Sequence, residues 1–123
     1  RTILTGLRRD VPQMMSVIDV FLLTSLWEGL PRVIPEAMAM GVPVVAYQVD
    51  GTIEAVQPGL TGYICPPGDI DGMAASCLRL LQDANLRAQM AERGRQVAAD
   101  EYDVDRMVEQ SAALYEERIA RLK

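Results

Sequence analysis

The sequence predicts an α/β protein: a parallel β-sheet with flanking helices, followed by a helical tail that ends in a long helix. Three observations carry this. Short apolar runs with β-branched residues occur at Thr2–Thr5, Val20–Thr24 and Val44–Tyr47, with a shorter one at Tyr63–Cys65, and continuous runs of that kind suit strands covered on both faces. Helix-length segments fill the gaps, so strand, helix and strand repeat as they do in right-handed crossovers between parallel strands. Beyond residue 68 apolar residues recur at helical spacing to the end of the chain.

Taken in order, Thr2–Thr5 is the first expected strand. Pro12 suits a first helical turn after Asp10, and Met14, Met15 and Ile18 give that short helix an apolar side. Val20–Thr24 is the next strand. A loop over Trp27 to Arg32 leads into a helix over Val33–Met40, which Gly41 and then Pro43 stop. Val44–Tyr47 and Tyr63–Cys65 complete the sheet, with Asp50 to Glu54 read as a loop between them. Asp69 is a natural N-cap for a helix whose expected buried face is Ile70, Met73, Ala74, Cys77, Leu78 and Leu81. A shorter, more polar helix over Leu86–Ala98 follows, weakened in its middle by Gly94. The long helix runs from about Asp103 to Leu122, with Val104, Val108, Ala112, Tyr115, Ile119 and Leu122 at helical spacing. The methionines at 14, 15, 38 and 40 are expected as core filler. The acids Asp100, Glu101, Asp103 and Asp105 fit the start of a helix rather than a metal site.

A chain of 123 residues suits one domain, here divided into a sheet-and-loop part, 1–68, and C-terminal helices, 69–123. Half of its residues are hydrophobic and 24% charged, which describes a globular protein rather than a disordered one. The net charge of −5 is spread as 4 basic and 6 acidic residues over 1–68 and 8 basic and 11 acidic over 69–123. Neither part offers a basic face, so nucleic acid is not expected as a partner. The longest apolar runs, such as Val20–Leu23, are far short of the ~20 residues that span a bilayer. Cys65 and Cys77 lack metal-type spacing and the chain has no histidine, so no metal site is expected, and Ser/His/Asp or Cys/His nucleophilic chemistry cannot arise within it. The two cysteines read as reduced, buried thiols. A chain that opens at Arg1 and enters a strand at once reads as part of something longer.

The residues from Ser25 to Ala46 concentrate the chemistry. Glu28 and Glu36 bracket a glycine and proline loop that runs into a helix. A helix start presents unpaired N–H groups and the positive end of the helix dipole, which favour an anion such as phosphate. One carboxylate before that point and one after it suit a ligand with hydroxyls on both sides of a diphosphate. The loop also leaves the carboxyl end of a strand, where parallel α/β sheets bind their ligands.

This segment resembles the E-x7-E signature of the retaining glycosyltransferases of family 4, also called glycosyl transferases group 1. The likeness continues through Ile3 to Gly6, Asp19 to Ser25, Val42 to Ala46, Gly51 to Glu54 and Gly62 to Asp69, and so covers nearly the whole chain. It implies the GT-B architecture of two facing Rossmann-like domains. This chain is similar to the later two thirds of the C-terminal, donor-binding domain, with the upstream strands and the N-terminal acceptor domain absent.

The resemblance implies a role for each site residue. Glu28 would lie beside the transferred sugar and steady positive charge at the anomeric carbon. Glu36 would accept hydrogen bonds from the ribose hydroxyls. Gly29 would allow close approach, Leu30, Arg32 and Val33 would present N–H groups to sugar hydroxyls and phosphate oxygens, and Pro31 would stiffen the loop. Gly6, Leu7 and Arg8 would lie by the nucleobase. Arg32 stands where the family often has a small or amide residue, and Pro35 directly precedes the second glutamate. Asp50 replaces the first glycine of the family's Gly-Gly-x-x-Glu segment, which is read here as structural.

The implied reaction is metal-independent and needs no cofactor: a sugar moves from a nucleoside diphosphate to an acceptor. Its implied location is cytoplasmic, with the longer enzyme peripheral at the inner face of a membrane. The implied partners are a nucleotide diphosphate sugar and the absent acceptor domain. Self-association through the exposed long helix or the sheet edge near Thr2–Thr5 is expected of the isolated chain. The competing reading is a non-catalytic, flavodoxin-like binding module.

Overall fold

A computed structural model describes residues 1–122 of the chain. The elements run α1 (Val11–Met15), β1 (Phe21–Leu23), α2 (Val33–Ala39), β2 (Val44–Tyr47), α3 (Asp50–Ala55), β3 (Gly62–Cys65), α4 (Ile70–Gln82), α5 (Ala84–Glu101) and α6 (Val104–Ala120). The three strands form one parallel sheet in the order β1-β2-β3. Phe21 lies opposite Val44, and Val44 opposite Gly62. The α/β class, the parallel sheet and the helical tail are as the sequence predicts.

The central strand β2 is buried along its whole length, and its alternating side chains feed two cores. On one face Val44 and Ala46 pack with Met15, Ile34, Ala37, Met38, Val56 and Val97. On the other, Val45 and Tyr47 pack with Cys65, Met73, Leu80 and Met90. Helix α5 contributes Met90 to one core and Val97 and Ala98 to the other, so it joins the two layers.

Helix α2 ends where glycine lets it. Gly41 has φ of 72°, its N–H donates to Met38 O and the Val42 N–H donates to Ala37 O, both at 2.9 Å. This is the Schellman arrangement, in which a left-handed residue just past the helix satisfies its last carbonyls. The bend returns the chain directly to Val44 and the sheet.

Several expectations are corrected. Thr2–Thr5 forms no strand, and Ile3 and Leu4 are 70% and 93% exposed. A strand needs a neighbour to satisfy its backbone, and β1 pairs only with β2 among the described residues. Asp50 to Glu54 belongs to a helix, not a loop, because the Thr52 hydroxyl organises its first turn. Helix α5 has 18 residues and α6 has 17, so the second tail helix is not the shorter. Asp83 extends α5 at its start by accepting from the Leu86 N–H. Helix α5 runs unbroken through Gly94, which faces Met38 of α2; a Cβ there would meet Met38 at an ordinary contact distance of 3.6 Å.

Helix α4 begins at the Asp69 cap as expected, with Asp69 accepting from the Gly72 N–H at 2.9 Å. Its inward stripe is Met73, Cys77 and Leu80, while Ile70, Leu78 and Leu81 remain 72%, 53% and 52% exposed. Apolar residues cover more of this helix than the sheet can contact. Met15 and Met38 are buried, but Met14 is half-buried and Met40 exposed. Helix α6 buries none of its residues. Cys65 is buried and Cys77 half-buried, both free thiols, and burial, with Cys65 beside it, pushes the Cys77 thiol up.

Candidate functional site

The loop that carries the two glutamates leaves the carboxyl end of β1 and enters α2, as the topology of parallel sheets requires of a ligand site. Pro31 is buried and anchors it, and its carbonyl accepts from the Ile34 N–H at 2.9 Å. Around that anchor the loop faces solvent. Gly29 and Arg32 are exposed, Leu30 is 49% exposed, and Glu28 and Val33 are half-buried. Trp27, beside Glu28, is 86% exposed. The side chain of Arg32, immediately before α2, makes no cap to the helix. Pro35 falls in the first turn, where a missing N–H removes no helical bond.

Glu36 lies one turn into α2 and is exposed. It lines a cleft of about 400 Å³ between α1 and α2, with Val11, Pro12, Met15, Ala39 and Met40. Gly6, Leu7 and Arg8 precede α1, and none of them lines that cleft. Gly6 has φ of 65°, Leu7 is 94% exposed, and Arg8 donates through Nε to Asp10 Oδ1 at 2.8 Å. The Arg8 guanidinium holds the Asp10 carboxyl below the usual carboxylate range. The structure thus unites Glu28 through Glu36 on one loop and helix, and leaves the 6–8 segment outside the cleft.

The β2–α3 turn lies directly beneath this loop. Gly51 is buried, and a Cβ built on it would overlap the Gly29 carbonyl and stand 2.8 Å from Leu30 Cα. By contrast, a Cβ on Gly29 would meet nothing within 4 Å, and Gly29 has no positive φ. Thr52, 1% exposed, locks the turn. Its hydroxyl accepts from the Val49 N–H at 3.0 Å and lies 2.6 Å from the carbonyls of Tyr47 and Val49, either of which can take its proton. From sequence this segment is structural and unconnected to the loop; the trace its contact leaves is a Gly-Thr pair just past a strand, within the stretch that resembles Gly-Gly-x-x-Glu. Arg87 of α5 also escapes that reading: it donates to Leu80 O at 2.8 Å and pairs with Asp19, ahead of β1, at 3.5 Å.

Comparison with known proteins adds to this geometry. Residues 2–97 match the family model described as glycosyl transferases group 1. The chain is 35% identical over 115 residues to N-acetyl-alpha-D-glucosaminyl L-malate synthase of Bacillus anthracis, covering 94% of this chain and 30% of that protein. It is 36% identical over 107 residues to alpha-D-kanosaminyltransferase of Streptomyces kanamyceticus, covering 87% and 28%. It superposes on HepE of Anabaena in complex with UDP-glucose at a TM-score of 0.85 and 32% identity, over 89% of this chain and 30% of that one. The chain therefore spans about 30% of the length of these relatives.

Proposed function

This chain belongs to the glycosyl transferases group 1 family, and from that premise we propose that it is the nucleotide-sugar-binding part of a retaining glycosyltransferase. The longer enzyme moves a hexose-type sugar from a nucleoside diphosphate to an acceptor held by an N-terminal domain. In this reading Glu28 lies beside the sugar and stabilises charge developing at the anomeric carbon, where a fixed negative group acts in the transition state. Glu36 accepts from the ribose hydroxyls, two donors for one carboxylate. Leu30, Arg32 and Val33 supply N–H groups to the sugar and diphosphate, Pro31 holds the loop rigid, and Gly6, Leu7 and Arg8 border the base. Gly29 gives a ligand room to approach the backbone closely.

The single observation that supports this best is the placing of Glu28 on the β1–α2 loop and of Glu36 in the first turn of α2, in a chain 32% identical to a protein crystallised with UDP-glucose. No metal or cofactor enters the proposed reaction, which proceeds in the cytoplasm, with the longer enzyme at the inner face of the membrane. Among the described residues no helix is long and apolar enough to cross a membrane. The acceptor domain packs against α6; in the isolated chain α6 and the open edge of β1 favour self-association.

The test is a ligand-observed NMR titration of the chain with UDP, GDP, ADP and their common sugar conjugates, repeated on Glu36→Ala. The expected result is binding within one base series, weakened at least tenfold by the substitution, and no sugar transfer by the isolated chain. Binding indifferent to Glu36→Ala, with Glu28→Gln harmless to transfer in the longer enzyme, favours the flavodoxin-like module instead. Transfer by the isolated chain overturns the proposed division of labour.

A further inference from the structure

We propose that Gly51 is a positioning residue: it seats the Glu28–Arg32 loop from below, and the absence of a side chain at 51 sets the height of that loop above the sheet. The part of this inference that concerns ligand affinity rests on the donor-site reading above.

The constraint at Gly51 is steric. The backbone at Gly29 and Leu30 runs so close over Gly51 that a Cβ would overlap the Gly29 carbonyl and lie 2.8 Å from Leu30 Cα. The obstructing atoms are main chain, so no rotamer change relieves the clash; either the loop rises or the turn sinks. The turn cannot sink freely. Thr52 is fully buried and its hydroxyl ties the turn to Tyr47, the last residue of β2, and to both polar groups of Val49. The Thr52 N–H adds a bond to Val49 O at 3.0 Å. Behind the turn, Ala55 and Val56 are each 1% exposed within the core. On the other side the loop has open solvent above Gly29, so it is the loop that moves. Because Glu28 and Leu30 flank Gly29, a change at 51 displaces the carboxylate and the N–H groups intended for the sugar and diphosphate. Geometry errors of about 1 Å at a site are enough to lose much of its function.

The experiment compares wild type with Gly51→Ala, Thr52→Val and Thr52→Ser by backbone amide shifts, thermal unfolding and titration with UDP, GDP and ADP. Gly51→Ala is expected to move the amide signals of residues 28–33 while those of β2, β3 and α4 stay in place, and to weaken the nucleotide bound by wild type at least tenfold. Thr52→Val, which removes the tether, is expected to shift the same loop signals and weaken binding about threefold to tenfold, with Thr52→Ser restoring both. Unchanged loop signals in a folded Gly51→Ala, or affinity within twofold of wild type, overturn the proposal. If Gly51→Ala does not fold, equal loop signals for Thr52→Val and Thr52→Ser overturn it. The shift measurement needs no nucleotide, so it decides the seat even where wild type binds none; that outcome counts against the donor reading and not against the seat.

Discussion

The loops at the carboxyl ends of β1 and β2 occupy equivalent places in the sheet and follow opposite plans. After β2, the turn into α3 is buried and closed: Gly51 is needed by the fold itself, and Thr52 satisfies its hydroxyl within the turn. After β1, the loop into α2 is open: apart from Pro31 its residues face solvent, and Gly29 has neither a crowded Cβ position nor a positive φ to explain it. The difference teaches how to read two glycines. One serves packing within the chain; for the other, neither packing nor backbone conformation requires a glycine.

The sharpest way to break this comparison is to attack the closed turn. Thr52→Val keeps the shape but removes the hydroxyl's proton from the Tyr47 and Val49 carbonyls and leaves the Val49 N–H only the Tyr47 carbonyl at 3.0 Å, so urea denaturation is expected to show a loss of about 1–3 kcal/mol in stability. A loss below about 0.5 kcal/mol contradicts the closed plan. Next in size, Gly29→Ala on the open loop is expected to leave stability within about 0.5 kcal/mol of wild type and to weaken nucleotide-sugar binding roughly tenfold, about 1.4 kcal/mol. Lost stability there means that the fold, not a ligand, requires the glycine. Arg32→Ala is expected to change stability by no more than about 0.5 kcal/mol, since the side chain is exposed and caps nothing; differential scanning fluorimetry checks it.

The smallest effect concerns pH. Tyr102 donates to the Glu54 carbonyl at the end of α3, at 3.4 Å. Burial first, then the charges of Glu101 and Glu54, raise its phenol above the ordinary value of 10.0. A folded-state value above the unfolded one means the native state holds its proton longer, so this stability is present below pH 10 and fades as pH rises through the folded value. Tyr102→Phe is expected to flatten that alkaline decline in a denaturation series across pH 9 to 12. An unchanged slope removes Tyr102 from the account of the α3 side.

Legibility from sequence followed the range of the forces involved. Asp69 and Asp103 are visible as caps because a cap acts over three residues, and both accept as expected from Gly72 and Arg106. Gly41 is visible for the same reason. The face of α4 that turns inward is not, because Ile70, Leu78 and Leu81 are as apolar as Met73, Cys77 and Leu80, and only the sheet's width decides which are covered. Thr2–Thr5 has strand composition yet no strand, because ladder bonds need a neighbouring strand that composition cannot supply. Helices α5 and α6 make the same point: similar in length, one joins two cores and the other buries nothing.

The sequence by itself determined the α/β class, the alternation of elements, the helix caps and the Glu28 to Glu36 signature, all of which depend on residues near one another in the chain. Tertiary structure alone decided that Gly51 lies beneath Gly29, that Gly94 faces Met38 and that Arg87 reaches Asp19. Those contacts link residues 22, 56 and 68 positions apart, and no periodicity or local propensity records a distance that exists only once the sheet has formed.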